Sequence, residues 1–435
     1  MDSGLHLDDG AIGVFNYANL GGHGVSLPLY VRCFLVGVAL WYRGRSPPSS
    51  LPFCLAHPSS AAPPMTHSLA LIHTQFGPYH LARLRSLRAH YPGPVYAIQL
   101  ADQEALRAWT VDADADLITV ATGTLESLSP RAIAPSLVQQ LDRLRPDALV
   151  IAGYHHPAMR AAFTWARRQG ARTVLLSDSQ GRDRPRNPLV EALKGAWLRR
   201  HCDAALVAGS RAAAYVEQLG LPSDRLWRGY DVVDNGQFST PRPLTKAAPH
   251  FLYVGRLSPE KNLRRFLQAY ARYRQQAGAI AWHLVMVGSG PQGAELQALA
   301  QQLDLTAAVH WAGFQQLANL PAYYQAAAAL VLPSVSEPWG LVVNEAMAAG
   351  LPILASTQCG CVPDLVFPGI NGALFSPWDV EQLADVLLRF SRRSPCQRQQ
   401  MGQASQGLIA HYTPDHWAIA LSDCVLFVLG DRRPE

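Results

Sequence analysis

Two glutamates with seven residues between them, Glu337 and Glu345, frame the stretch SVSEPWGLVVNEAMAAGLP that runs from Ser334 to Pro352. The apolar segment Ala328–Leu332 before it reads as a buried strand and Glu337-Pro338-Trp339-Gly340 as a turn. Leu341–Ala349 then reads as a helix of good helix formers, closed by Gly350 and Pro352. Strand, turn and helix in that order aim backbone N–H groups and a helix dipole at an anion. Carboxylates beside such a site suit sugar and ribose hydroxyls, whereas the helix amides suit phosphate. A ligand that carries both is a nucleotide sugar.

Cations stand in a matching place upstream. After the strand Phe251–Val254 comes Gly255-Arg256-Leu257-Ser258-Pro259-Glu260-Lys261-Asn262, then a helix over Leu263–Gln275. Arg256 therefore sits at a strand end and Lys261 near a helix start. Charge develops on a diphosphate as it leaves a sugar, and fixed cations stabilise it without reorganising.

Together these residues resemble the signature of family-4 retaining glycosyltransferases of the GT-B fold, in which paired glutamates flank a Gly-containing turn. The resemblance covers roughly residues 68 to 425 and is densest in the second half. It implies that Glu337 meets donor-sugar hydroxyls and Glu345 the nucleotide ribose, with the Gly340 and Leu341 amides near phosphate or sugar. Arg256 and Lys261 would grip the donor phosphates without a metal, and no other cofactor is implied. It also places a donor-contacting histidine in the loop Gly153-Tyr154-His155-His156-Pro157, aligned to His155 with His156 second. Such a histidine donates a hydrogen bond to a sugar hydroxyl and is not assigned as a general base. Gly313 falls where such folds hold the edge of the nucleotide base by backbone contacts.

The elements that must position these residues follow from periodicity. Leu69–His73, Val95–Gln99, Leu117–Val120, Ala148–Ala152, Thr173–Leu176 and Ala204–Ala208 read as strands, with helices over Leu81–His90, Leu137–Leu144 and Met159–Gln169. A second series runs from Phe251–Val254 through His283–Val287, Val309–Trp311, Ala328–Leu332, Ile353–Ala355 and Ala373–Phe375. Such alternation argues for parallel sheets covered by helices on both faces, with ligands at the carboxyl ends of the strands. The fold class is α/β, two Rossmann-like doubly wound domains facing across a cleft.

Three loops remain. Thr74–His80 follows the opening strand, and Gly77 permits close backbone approach to a ligand; the resembled family usually has Gly-Gly there, whereas this chain has Gly77-Pro78. Gly288-Ser289-Gly290 reads as a tight strand–helix connection. Between Arg182 and Arg200, Arg182, Arg184, Arg186, Lys194, Arg199 and Arg200 alternate with Leu189, Leu193, Trp197 and Leu198. That segment reads either as the solvated face of a surface helix or as a basic amphipathic helix on anionic lipid. The second reading implies peripheral membrane contact and a lipid-linked or membrane acceptor.

At 435 residues the chain exceeds one typical core. The expected divisions are an atypical extension over 1–64, an acceptor-side domain over 66–240, and a nucleotide-sugar domain over 241–412. A terminal helix over 413–435 would cross back to the first domain. The apolar run Ser26–Trp41 is interrupted by Arg32 and is shorter than the ~20 residues of a spanning helix. It reads as a weak anchor, an appended element or, preferentially, sequence translated from a start upstream of Met65.

A net charge of +5 suits small anionic ligands or an anionic surface and falls far short of a nucleic-acid binder. The seven cysteines form no CxxC, so they read as reduced thiols in a cytoplasmic protein without structural zinc. No P-loop, HExxH, GxSxG or kinase constellation occurs. The expected reaction moves a sugar from a nucleoside diphosphate to a hydroxyl of a glycan, lipid or small-molecule acceptor, with retention. The rivals are a nucleotide-sugar epimerase on the same scaffold and a non-catalytic scaffold protein.

Overall fold

The computed structural model describes residues 66–104, 116–183, 185–239 and 248–431. The expectations for residues 1–65, for Arg184 and for the Pro-rich connection at Thr240–Thr245 lie outside the described residues.

The first sheet holds β1 (Leu69–His73), β2 (Val95–Gln103), β3 (Leu117–Thr124), β4 (Ala148–Ala152), β5 (Arg172–Ser177), β6 (Ala204–Val207) and β7 (Leu226–Arg228). They lie in the order β3-β2-β1-β4-β5-β6-β7, and every pairing is parallel. The second holds β8 (His250–Val254), β9 (His283–Val287), β10 (Val309–Gly313), β11 (Ala329–Leu332), β12 (Ile353–Ser356) and β13 (Gly372–Phe375). Its order is β10-β9-β8-β11-β12-β13, again all parallel. This is the GT-B architecture of two Rossmann-like sheets.

Burial explains the continuous apolar runs. Every residue of β1, β6, β11 and β12 is buried, as expected where helices cover both faces of a sheet. The edge strand β7, three residues long, was not anticipated because so short a run carries no readable period.

Strand order, more than strand content, decides where chemistry can occur. β1 lies beside β4 and β8 beside β11, so each sheet reverses its winding direction at that pair. The loops after such neighbours diverge and leave a crevice at the carboxyl ends. Register aligns those ends: Ile72 pairs with Ile151 in one sheet and Leu252 with Leu330 in the other. The loops beginning at Thr74, Gly153, Gly255 and Pro333 are therefore neighbours in pairs.

The last helix, Pro414–Leu429, buries Trp417, Leu421, Cys424 and Val425 in a core shared with Leu69, Leu71 and Leu84. It thus packs on the first sheet and on the helix Pro78–His90. Between the sheets, Asn344 donates to the Asp231 carbonyl at 3.0 Å, and Ser210 N donates to Asp364 Oδ2 at 3.0 Å. No described helix is long and apolar enough to cross a membrane.

Candidate functional site

A cleft of about 610 Å³ opens where the two pairs of loops meet. The second sheet contributes Arg256, Glu337, Trp339, Gly340 and Leu341 to its walls; the first contributes Gly77, Tyr79, Arg83, His155 and Asp178. Residues far apart in the chain thus share one crevice.

Glu337 lies at the floor, 8% exposed. Its Oε2 is ion-paired with Lys261 Nζ and accepts from Ser334 Oγ at 3.1 Å. Lys261 ends a short turn whose next residue, Asn262, is held at φ 59. Asn262 Nδ2 donates to the Pro333 carbonyl at 3.1 Å and to the Pro377 carbonyl at 2.8 Å, which ties the lysine's turn to the strand end below Glu337. Arg256 is half exposed and rests on Glu260, 3.2 Å away, so its guanidinium can leave a surface partner for a ligand at small cost.

Gly340 begins the helix Leu341–Ala348 at φ 106, and a Cβ there would lie 3.1 Å from Leu332 and 3.3 Å from Glu337 Cγ. The left-handed φ favours glycine, and the tight Cβ position adds to that preference. No side chain caps this N-terminus, and Gly340 and Leu341 line the cleft. Such amides favour an anion, and the carboxylate and ammonium beside them favour hydroxyl and phosphate oxygens.

Glu345 is one layer deeper. It is 3% exposed and does not line the cleft. Tyr79 Oη donates to its Oε1 at 2.8 Å and Tyr324 Oη to its Oε2 at 2.6 Å. Burial raises its carboxyl above the ordinary glutamate range, and the two tyrosine hydroxyls oppose that shift only in part.

This has a measurable consequence. The folded chain holds the Glu345 proton to higher pH than the unfolded chain does, so stability from this group falls as pH rises from the unfolded value of 4.5 through the folded one. Glu345→Gln removes that slope. The melting temperature of the glutamine variant relative to the parent is expected to climb between pH 5 and pH 8; a flat difference would refute the buried-carboxyl assignment.

The two histidines divide their labour. His156 Nδ1 accepts from Ala158 N at 3.1 Å and caps the helix Pro157–Gln169, while burial, followed by Arg160 and His155, lowers its pKa. His155 is exposed, lines the cleft, and has its backbone carbonyl held by Arg160 Nη1 at 2.6 Å.

The glycines also separate. Gly77 lines the cleft, but its backbone is extended, its N–H donates to His80 Nδ1 at 3.0 Å, and a Cβ would meet that atom at an ordinary 3.7 Å. Glycine is therefore not demanded there. Gly255 N donates to the Val287 carbonyl at 3.0 Å, and the Gly313 carbonyl accepts from Gly288 N at 2.8 Å. Neither Gly255 nor Gly313 lines the cleft; both belong to the backbone scaffold beneath the Arg256 loop.

Several residues in the cleft wall, and Gln180 buried behind it, escaped the sequence reading. Asp178 and Ser179 follow β5, and the rule that weights loops after strands would have found them. Arg83, 3% exposed, donates to the Tyr230 carbonyl at 2.8 Å and lies 5.0 Å from the Tyr230 ring. Tyr79 had no local signal. Gln180 is fully buried and donates to the Glu337 carbonyl at 2.7 Å and the Gln358 carbonyl at 3.1 Å, a bond between the two sheets' loops.

The basic segment folds as the helix Pro188–His201. Glu191 pairs with Lys194 on the same helix at 2.8 Å and with Arg186 before it at 3.8 Å. Leu189 and Leu193 remain 77% and 72% exposed.

Comparison with known proteins agrees with this architecture. A family model for glycosyl transferases group 1 matches residues 238–407. The chain is 30% identical over 244 residues to glycogen synthase of Mycobacterium tuberculosis, covering 55% of this chain and 58% of that one. It is 32% identical over 175 residues to D-inositol 3-phosphate glycosyltransferase of Mycobacterium avium, covering 39% of each. The chain thus spans from 39% to 58% of the length of these two relatives. Among solved structures, sucrose-phosphate synthase of Thermosynechococcus elongatus superposes with a TM-score of 0.66 at 20% identity, over 84% of this chain and 100% of that one. Anabaena Alr3699/HepE in complex with UDP superposes with a TM-score of 0.65 at 17% identity, over 84% and 100%. Residues 238–407 of this chain match the family model of the glycosyl transferases group 1, and the two parallel sheets form a GT-B fold.

Proposed function

We propose that this protein is a retaining glycosyltransferase that moves a sugar from a nucleoside diphosphate sugar to an acceptor hydroxyl. The observation that carries the reading is the convergence on one cleft of Glu337, Arg256 and the uncapped helix start at Gly340, with Lys261 ion-paired to Glu337 and not itself lining the cleft. Arg256, Lys261 and the helix amides receive the diphosphate, Glu337 accepts from donor-sugar hydroxyls, and His155 donates to the sugar from the opposite wall. Glu345 takes the ribose.

In the reaction the bond between the sugar's anomeric carbon and the phosphate oxygen breaks, with its electrons going to the leaving diphosphate. The acceptor oxygen bonds to the same face of that carbon, and its proton passes to the departing phosphate oxygen. Donors aimed at that developing charge act before the reaction begins, so none of the barrier is spent on reorienting them. Closure of the cleft on the bound donor would exclude the water that otherwise hydrolyses it. The cations that would neutralise the diphosphate belong to the chain itself, so the proposed reaction needs no metal.

The exposed Leu189 and Leu193, with Arg199 and Arg200 further along the same helix, favour peripheral contact with an anionic membrane and a lipid-linked acceptor. UDP-glucose is the first donor to try, since HepE was solved with UDP-glucose.

One set of assays tests this reading. Thermal stabilisation by one of the UDP-, GDP- or ADP-sugars is expected, followed by release of the free diphosphate once an acceptor is supplied, unchanged by EDTA. Anionic vesicles should raise the turnover. An isomerised sugar nucleotide as product would favour the epimerase, and no shift with any donor would favour a silent scaffold. Loss of turnover in EDTA would remove the metal-free assignment.

A further inference from the structure

Glu345 carries a difficulty for the proposed function: its carboxylate is buried, yet a ribose hydroxyl must reach it. Of its two hydroxyl partners, Tyr324 is fully buried on the helix Leu320–Ala326, which packs with the second sheet. Tyr79, 266 residues away, comes from the first turn of the helix Pro78–His90, which follows β1 of the first sheet, and lines the cleft. It therefore stands between the cleft and the carboxylate.

The tyrosine is built to let its hydroxyl move and its backbone stay. It follows Pro78, whose ring fixes the turn into the helix Pro78–His90. Its carbonyl accepts from Arg83 Nε at 3.3 Å, and Arg83 is itself held by the Tyr230 carbonyl and ring. The Tyr79 hydroxyl donates to Glu345, and the residue is only part-buried and lines the cleft.

We infer that Tyr79 is a displaceable stand-in for the donor: its hydroxyl occupies on Glu345 the position that a ribose hydroxyl takes, and the nucleotide binds by exchanging with it. This rests on the assignment of Glu345 to the ribose. Exchange satisfies the buried carboxylate in both states, so it never stands without a donor. It also couples the two sides of the cleft, because the bond from the helix after β1 to the second sheet's side is broken only when nucleotide arrives. Tyr79 is thus a positioning residue that sets donor affinity and makes the acceptor-side loop available after the donor is seated.

Calorimetric titration with UDP, GDP and ADP tests the exchange on the parent protein and on Tyr79→Phe, Tyr324→Phe and Glu345→Ala, each checked for folding by circular dichroism. Tyr79→Phe leaves one carboxylate oxygen short of a donor until ribose supplies it, so the responding diphosphate is expected to bind about tenfold more tightly than to the parent. Its dideoxyribose analogue should gain nothing. Tyr324→Phe, which strips the other oxygen on the side away from the cleft, should not tighten binding.

Unchanged or weaker binding by Tyr79→Phe overturns the exchange, as does equal tightening by Tyr324→Phe. If Glu345→Ala loses affinity while Tyr79→Phe gains none, the exchange alone fails. If folded Glu345→Ala binds like the parent, the ribose assignment fails and the inference goes with it.

Discussion

Lys261→Ala is expected to lower kcat/KM for sugar transfer by about 10²–10³-fold, the usual effect of removing one fixed charge aimed at a developing anion. The same change leaves the buried Glu337 carboxylate without its ion-pair partner, with Ser334 still donating to it, and stranding a buried charge in this way costs about 3–5 kcal/mol. The two effects separate in the double variant. Adding Glu337→Gln to Lys261→Ala removes the stranded charge, so the melting temperature should recover while turnover stays low. Initial rates of diphosphate release and thermal melts on the three proteins decide the matter. Turnover near the parent's in Lys261→Ala would remove the lysine from the chemistry.

Gly288→Ala is expected to destabilise the fold by about 3 kcal/mol or more and to reduce transfer as well. Gly288 sits at φ 136, and a Cβ on it would fall 1.9 Å from the Gly255 carbonyl oxygen, so backbone rather than a flexible side chain must move. Gly290 faces the same loop, with its Cβ position 2.5 Å from the Leu257 carbonyl. Leu257 N donates to the Ser289 carbonyl at 2.9 Å, so the GxG turn forms a backbone bed on which Gly255-Arg256-Leu257 lies. Shifting that bed displaces Arg256 from the cleft wall. Denaturant titration and rate measurement together check this. A variant with parental stability would mean that the bed yields freely.

These two residues show what kind of information a sequence holds. Lys261 stood out in the sequence because its type and its place after a strand suit a diphosphate, whereas its pairing with Glu337 did not show there. Gly288 was legible as a turn, but its task was not, since the atoms it must avoid belong to a loop more than thirty residues earlier. The same limit applies to Tyr79, whose partner Glu345 lies 266 residues away. His155 and His156 are adjacent and chemically identical, and only backbone direction at the helix start turns one ring into a cap and leaves the other at the cleft.

By itself the sequence determined the local grammar: apolar runs that become fully buried strands, loops carrying cations or carboxylates after them, and a glycine that opens the helix at Leu341. Those features depend on neighbours a few residues apart, through side-chain period, helix capping and backbone sterics. Tertiary structure alone decided that β8 lies beside β11 and β1 beside β4, that Lys261 meets Glu337, and that Tyr79 covers Glu345. Strand order and the closing of one sheet's loops over the other's are settled by packing across the whole core. No short stretch of chain contains both partners of such a contact.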